Sequence, residues 1–588
     1  MHRRTSARTG AAAPFPRVSP ARIIRTLAFA LVAVQTVGSP LMAGQQSEPG
    51  RDNGDGRAPV VSKDGEYLPD THRRERPVPF GWNGPLAPDL RTVRLAAVDP
   101  LEIADADERA GQCSTCGDNE ARGKRSRPRI GFTRPIEASL GRPARPESDF
   151  HVVRLDDGRL LATCAVTSPG ARRIRLHFAD LDLGACRMIV WAPHGDSYVV
   201  RGAYGGRGSA ESGELWTASL PGDTAYIEIV GDDLPALDLV EVLHEDRDAA
   251  GAAAGGNGGG AASGESDESD GGVAGGALPC NKDATCWVTP STQAAYDATG
   301  QMNFVENGNG YVCTGTMLAD LDAETFVPWF LTAYHCISTQ AVVNTLEVVW
   351  GWQTSSCNGT LPDYDALDRS AGGTLIATNP TDGGNDMCFI RLDGPPPDSG
   401  AFSGWTTALP ALGRSFHHPA GSYKRYAEWD DVSVCIPCGF CADSSDYQFY
   451  NRTFGLCEGG SSGSGIFDAS GHLFGQLFGT CTDVIGNPEP TCSTLDDYWW
   501  YWGEFEETYP LIQNRLTVGG TIWINGAYPG GLPEIGSQTL PFNTVGEGYG
   551  AAFDGAQLKI VAGSYPGTFT FTKDIDIHAI NGTVTIGP

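Results

Sequence analysis

The sequence predicts an all-β protein assembled from separate blocks, and three observations predict it. Gly (76) and Pro (39) make up about a fifth of the 588 residues, a composition that favours strands, turns and linkers over long helices. Apolar or alternating runs are short and separated by turn pairs such as Pro169-Gly170, Gly195-Asp196 and Pro221-Gly222, the pattern of half-buried strands. A Gly/Ala-rich tract then interrupts the chain near its middle, as expected of a tether between independently packed units. At roughly 100–200 residues per domain the length allows about three to five units. The formal charge of −29 makes nucleic acid an unfavourable partner. Sixteen Cys point to an oxidising compartment, since a reducing cytosol would require metal or redox roles for so many thiols.

In residues 1–43, His2, Arg3, Arg4, Arg8, Arg17, Arg22 and Arg25 precede an apolar stretch at 27–37, with small residues near Ser39 and Ala43. This is the layout of a secretory signal with a long basic leader, its apolar part too short to span a bilayer comfortably. The chain is expected to be exported, to the extracellular space or a periplasm, with no membrane span once the signal is removed. Residues 44–147, rich in Pro, Arg, Asp and Gly, are expected to be a largely extended pro-region. Residues 148–246 carry strand-like runs at 159–166, 173–178, 187–192, 214–220 and 225–230 and are expected to form a β-sandwich. The 247–278 linker holds 11 Gly and 9 Ala in its last thirty positions, too few apolar groups to offset the entropy of ordering. Residues 279–526 form a second globular block with twelve of the sixteen Cys. In 527–588, short strands are expected at 558–562, 568–572, 575–579 and 583–586.

The chemistry concentrates in 279–526. Cys457-Glu458-Gly459-Gly460-Ser461-Ser462-Gly463-Ser464-Gly465 places serines among glycines, where the backbone can approach a substrate and successive amides can converge on an oxyanion. Two strand-like runs joined by Asp468-Ala469-Ser470-Gly471 come at once after it, which a flexible Gly/Ser linker would not do. A serine nucleophile needs a base with a fixed tautomer. Phe330-Leu331-Thr332-Ala333-Tyr334-His335-Cys336 ends an apolar strand on a histidine, and Cys313 lies on the preceding strand. Asp386 heads the apolar run 387–392, where a carboxylate is costly unless paired. Gly459-Gly460-Ser461-Ser462-Gly463 also fits the GxSxG elbow of α/β-hydrolases, with Ser461 as nucleophile. That fold needs a helix after the serine and Asp and His downstream. The order His335, Asp386, Ser462 is that of chymotrypsin-like double β-barrels.

On these residues the block from 279 to about 526 resembles the bacterial trypsin-like serine endopeptidases of the lysyl endopeptidase family. The resemblance rests on Cys313-Thr314-Gly315-Thr316, Thr332 to Cys336, Asn385-Asp386, His417-His418-Pro419, Glu458 to Ser464 and Gly475-Gln476-Leu477. It implies a chymotrypsin-like double β-barrel, a secreted serine endopeptidase made as a zymogen, and protein or peptide substrates. It assigns His335 as general base, Asp386 as its orienter, Ser462 as nucleophile and the amides of Gly460 and Ser462 as oxyanion hole. No cofactor and no metal are called for. It also implies the disulfides Cys313–Cys336, Cys286–Cys357 and Cys280–Cys492; Cys457 and Cys481 flank the nucleophile hairpin and could form a bridge at the pocket rim. Cys164 with Cys186 and Cys113 with Cys116 would complete an even count. Cys435, Cys438 and Cys441 suit disulfides or a metal or iron–sulfur site, with disulfides favoured in an exported chain; Cys388 has no assigned partner.

Glu458, Phe478, Gly479 and Trp500 are the candidate substrate-binding residues. Ser461 stands where trypsin-like zymogens carry the carboxylate that pairs with a new amino terminus. Phe478 stands where the family has a histidine, and Trp500 near its lysine-selecting aspartate, so strict lysine selection does not carry over. A preference for a basic residue before the scissile bond stays open, since Glu458, Asp496 or Asp497 could attract one. The segment 279–526 has 8 Lys plus Arg against 28 Asp plus Glu, a net charge of −20 that serves solubility and steers cationic peptides. The 148–246 sandwich resembles the segment preceding the peptidase in this family, either an intramolecular propeptide or a permanent accessory domain. The tail resembles a rung or two of a parallel β-helix. The alternative reading is a catalytically silent secreted adhesion or binding protein on a peptidase scaffold.

Overall fold

The computed structural model describes residues 59–68, 76–83, 90–111, 127–247, 277–322, 326–393, 397–433, 446–482, 492–494, 498–518, 520–528, 536, 538, 541–552, 556–573 and 575–587. The expected signal segment and nearly all of the linker lie outside these residues, as do Cys113, Cys116, Cys435, Cys438, Cys441, Asp496 and Asp497. The described strands and helices belong to the unit Val60–Pro588.

Two six-stranded barrels carry the site. In the first, Thr299–Glu306 pairs with Asn309–Leu318, and Asn309–Leu318 with Trp329–Ala333. Trp329–Ala333 then pairs with Met387–Leu392, and Met387–Leu392 with Gly373–Asn379. Arg369–Ala371 runs into Gly373–Asn379 through a bend at Gly372 and pairs with Glu347–Val349, which returns to Thr299–Glu306 and closes the ring. The second ring runs Leu473–Thr482, Gly465–Phe467, Gly413–His417, Arg425–Ser433, Tyr447–Phe454 and Tyr498–Glu504, and closes on Leu473–Thr482. Closure removes the open edges that a flat sheet would leave. The first barrel is filled by residues such as Met302, Phe330, Val348 and Ile390, and the second by Trp429, Trp500, Trp502, Ile466 and Leu477. The helix Phe505–Val518 packs Phe505, Ile512 and Leu516 into an apolar cluster with residues of both barrels, Trp329 and Phe467 among them.

The flanking region is a sandwich, and it is continuous with the first barrel. One sheet pairs Thr92–Arg94, Leu160–Thr167, Thr224–Gly231, Arg187–His194 and Ser197–Tyr204. The other contains Arg173–Asp182 and Ala236–Glu245, and Arg129–Pro135 then joins Ala236–Glu245 to Asn309–Leu318 of the barrel. Here the structure departs from the sequence reading at several elements. Residues 129–135 form a strand and Pro100–Gly111 a helix within the stretch expected to be extended, because both find tertiary partners that a local reading cannot see. Ser197–Tyr204 and Ala236–Glu245 are strands beyond those expected.

The C-terminal residues form a parallel sheet, Thr521–Ile524 with Gln557–Tyr565 and that with Asp576–Ile586. The runs expected at 575–579 and 583–586 fall within one strand, and 568–572 is not a strand. No helix among the described residues is long and apolar enough to cross a membrane.

Candidate active site

His335 sits in the turn that ends Trp329–Ala333, where the amides of Cys336 and Ile337 both donate to Ala333 O. Its Nδ1 is 2.7 Å from Asp386 Oδ2 and its backbone N–H donates to Asp386 Oδ1 at 2.9 Å. A fully buried carboxylate requires such donors, and Thr381 Oγ1 supplies a third at 3.1 Å. With Nδ1–H donated to Asp386, Nε2 is left as the acceptor. Asp386 adopts φ +58°, left-handed backbone that Asp tolerates better than most residues. Its loop is tied to both barrels: Asn385 Nδ2 donates to Glu504 O and Thr508 Oγ1, and Gln476 Nε2 to Asn385 O, at 2.7–2.8 Å.

The three serines of the Gly/Ser run are not equivalent. Ser461 is buried, its Oγ 2.8 Å from His417 Nδ1 and accepting from Glu458 N. Ser464 is buried and accepts from Ser415 Oγ at 3.3 Å. Ser462 is partly exposed, and its hydroxyl makes no hydrogen bond among the described residues. The turn holding it lies against the strand Asn309–Leu318, which pairs with the histidine strand: Thr314 N donates to Ser462 O at 2.9 Å. A Cβ on Gly463, at φ +80°, would fall 2.2 Å from Thr332 Oγ1. Cys336 Sγ lies 3.7 Å from Ser462 O and 3.9 Å from His335 Nε2. Ser462 O and His335 Nε2 thus both lie within 4 Å of one sulfur, and no hydrogen bond joins the Ser462 hydroxyl to the imidazole. The run leads into the hairpin Gly465–Phe467 and Leu473–Thr482, not a helix, which removes the α/β-hydrolase elbow with Ser461 as nucleophile.

Gly460 has φ +94°, and a Cβ there would meet Ala420 N and His418 O at 2.9 Å, so only glycine fits. Its carbonyl accepts from Thr314 Oγ1. The amides of Gly460 and Ser462 donate to no group among the described residues, so two N–H donors remain available beside the Ser462 hydroxyl. His417 and His418 pack behind this turn, both buried. Burial, with Arg425 as a lesser cause, pulls His417 down to about 3; burial, with Lys424, holds His418 well below the ordinary range.

The structure contains the disulfides Cys280–Cys492, Cys286–Cys357 and Cys313–Cys336. Two other expected bridges are not made. Cys457 is a free thiol enclosed among Trp429, Trp500 and Leu477, pushed far up by burial; the side chain of Cys481 lies outside the described residues. Cys164 and Cys186 are both free. Cys164 lies opposite Ile227, whereas Cys186 packs against Gly231. Four residues of strand, about 13 Å, separate those positions, beyond the roughly 7 Å a disulfide allows. Cys388 is likewise a buried free thiol.

The candidate substrate-binding residues divide. Phe478 stands edge-on to His335, ring centroids 5.7 Å apart, and Gly479 comes next in the same strand, opposite Tyr501. Trp500 does not face the cleft: it is fully buried, its ring tilted against that of Trp429 with centroids 4.9 Å apart, and its Nε1 on Cys457 O. Alternation along the strand instead sends Trp499 and Tyr501 to the Phe478 side, with Tyr447 and Phe449. The Glu458 carboxylate accepts from Leu278 N and Asn281 Nδ2, anchoring the start of the peptidase block. Sequence reasoning misses Thr381 and this aromatic group; the alternation in Tyr498-Trp499-Trp500-Tyr501-Trp502 is the signal that could have found the latter.

Residues 274–498 match the family model for the lysyl endopeptidase C-terminal domain. A lysyl endopeptidase of Pseudomonas aeruginosa is 27% identical over 416 residues, covering 64% of this chain and 80% of that one. The chain is a serine endopeptidase resembling the lysyl endopeptidase family. The endopeptidase also matches solved structures at low similarity. A thermostable serine protease, AL20, from an extremophilic microorganism is 14% identical with a TM-score of 0.26, covering 37% of this chain and 98% of that one. The protease Anisep from Arthrobacter nicotinovorans is 16% identical with a TM-score of 0.26, covering 37% and 96%.

Proposed function

We propose that the protein is an exported endopeptidase in which Ser462 attacks the scissile carbonyl, His335 Nε2 takes its proton and later delivers it to the leaving amine, and Asp386 holds the imidazole. The Gly460 and Ser462 amides receive the oxyanion. The observation that carries this reading is that Ser462 alone of the three serines is accessible and uncommitted, beside an imidazole whose Nδ1 is bound by a buried carboxylate. A fluorophosphonate is expected to label the wild-type chain once and Ser462→Ala not at all. An unlabelled wild type would favour the silent binding protein.

Selection of basic substrates is proposed to act through the field of the −20 segment and not through a carboxylate at position 500 or 458. One position is an enclosed Trp and the other carboxylate is already hydrogen-bonded. Steering of this kind is screened by salt. Cleavage-site profiling should therefore give a preference for cationic peptides that fades between about 0.01 and 1 M salt; a fixed basic residue before the cut, insensitive to salt, would refute it.

A further inference from the structure

The turn around Ser462 is braced from behind. Ser461 N, Gly463 N and Ser464 N donate to Glu458 O, Leu477 O and Ser461 O at 2.9–3.0 Å, so these three amides are committed while those of Gly460 and Ser462 are not. A trans peptide points its carbonyl and its N–H in opposite directions, and whatever holds a carbonyl therefore aims the amide that follows it. Gly459 O accepts from Ala420 N at 2.6 Å, which turns Gly460 N–H the other way. Ser461 O, held by Ser464 N, does the same for Ser462 N–H.

Two side chains fix the peptides between these points. Thr314 Oγ1 donates to Gly460 O at 2.9 Å and accepts from His418 N at 3.1 Å, so one hydroxyl joins the Ser462 turn to the turn Pro419–Gly421 that supplies Ala420 N. His417 closes the strand Gly413–His417 and sets its Nδ1 2.8 Å from Ser461 Oγ, which also accepts from Glu458 N at 3.2 Å. Both residues of this pair are fully buried, and burial keeps the imidazole neutral, at about 3. A neutral ring and a hydroxyl pair with either one as donor. His417 Nε2 has no partner, so the ring gives up its hydration for a single hydrogen bond, a cost that an apolar ring of similar size would avoid. Ser461 stands where trypsin-like zymogens carry the carboxylate for a new amino terminus; here a histidine of the same barrel holds that position.

We propose that His417, acting through Ser461, and Thr314, acting through Gly460 O, are positioning residues that hold the Gly460 and Ser462 amides in register to receive the oxyanion, in place of an ion pair with a new amino terminus. This rests on the reading of Ser462 as nucleophile and of those amides as oxyanion hole. The probe is a peptidyl trifluoromethyl ketone with a ¹³C carbonyl. Ser462 Oγ adds to that carbon, the π pair becomes the oxyanion, and the hydroxyl proton passes to His335 Nε2. A product peptide, which forms no oxyanion, is the control ligand. Wild type, Thr314→Val, Thr314→Ser, Ser461→Ala, His417→Phe, the Ser461→Ala/His417→Phe double variant and Ser462→Ala are prepared from the full chain, with activity normalised to folded protein by thermal unfolding.

Removing an oxyanion donor outright costs on the order of 10²–10³ in kcat, and misaiming one costs less. Thr314→Val, Ser461→Ala and His417→Phe should each lose about tenfold to a hundredfold in kcat and a matching factor in ketone affinity, with product-peptide affinity within about twofold. Thr314→Ser, which keeps the hydroxyl, should recover most of the loss. The double variant should lose no more than the worse of its two parents, because both remove one bond. Folded Thr314→Val and His417→Phe proteins with wild-type kcat would overturn the proposal. So would parallel losses of ketone and product binding, or fully additive losses in the double variant. A wild type that forms no hemiketal, or a hemiketal signal that persists in Ser462→Ala, would instead overturn the reading of the site and the brace with it, so the two failures are told apart.

Discussion

Replacing Asp386 by Asn removes a charge while keeping shape, volume and a backbone conformation, φ +58°, that Asn accepts readily. The buried carboxylate accepts from His335 N at 2.9 Å, His335 Nδ1 at 2.7 Å and Thr381 Oγ1 at 3.1 Å. An amide has one oxygen to serve these three donors, and its NH₂ must face one of them. If it faces Nδ1, that nitrogen becomes the acceptor, the ring proton moves to Nε2, and the base is lost. If it faces the backbone N–H, two donors collide in a buried site. The expected cost in kcat is on the order of 10⁴, about 5.4 kcal/mol at 1.36 kcal/mol per decade. Stability should fall by about 1–3 kcal/mol for the weakened charge-assisted bonds. Steady-state hydrolysis of a chromogenic peptide amide, with urea unfolding on the same preparations, reads both. A folded Asp386→Asn protein with kcat within tenfold of wild type would refute the reasoning.

The same geometry sets the outcome of other perturbations. Removing the Cys313–Cys336 bridge, separation 23 residues, as a double Ser variant should cost about 3 kcal/mol by loop entropy, measured by urea unfolding. Its kcat should fall as well, because the bridge ends beside His335. Gly460→Ala places a Cβ 2.9 Å from Ala420 N and His418 O at φ +94°, and should cut kcat by at least about 10² through a displaced amide while KM changes little. His417 is held at about 3 when folded against 6.5 when unfolded, so the unfolded chain binds the extra proton in between. Its contribution is complete above pH 6.5 and is lost as pH falls toward 3, by up to about 1.4 kcal/mol per unit; His417→Gln should flatten that slope in urea midpoints. Asp320 shifts the other way, raised to about 8 by burial. Its contribution is present below pH 3.8 and fades as pH rises through 8, so Asp320→Asn should gain stability over wild type between about pH 5 and pH 9.

The catalytic block was legible because its signals are local: a histidine at a strand end, an aspartate heading an apolar run, serines among glycines before a hairpin. The strands 173–182, 187–194 and 224–231 were readable for the same reason, since each alternates or is bounded by turn residues. The features that escaped are non-local. Arg129–Pro135 is a strand only because Ala236–Glu245 and Asn309–Leu318 flank it, and nothing in its own residues announces those partners. Trp500 proves enclosed because position along the chain does not say which face of the barrel wall a side chain takes; its neighbours Trp499 and Tyr501 take the other. The Cys164–Cys186 pairing failed on register, with four residues of an intervening strand between the two thiols.

The central claim is that one hydroxyl of three does the chemistry. Rapid mixing with an activated ester, acid quench and peptide mass mapping would locate the acyl group directly. A stoichiometric burst with the acyl group on Ser462, absent in His335→Ala, is the predicted result. No burst, or an acyl group on Ser461 or Ser464, would contradict it.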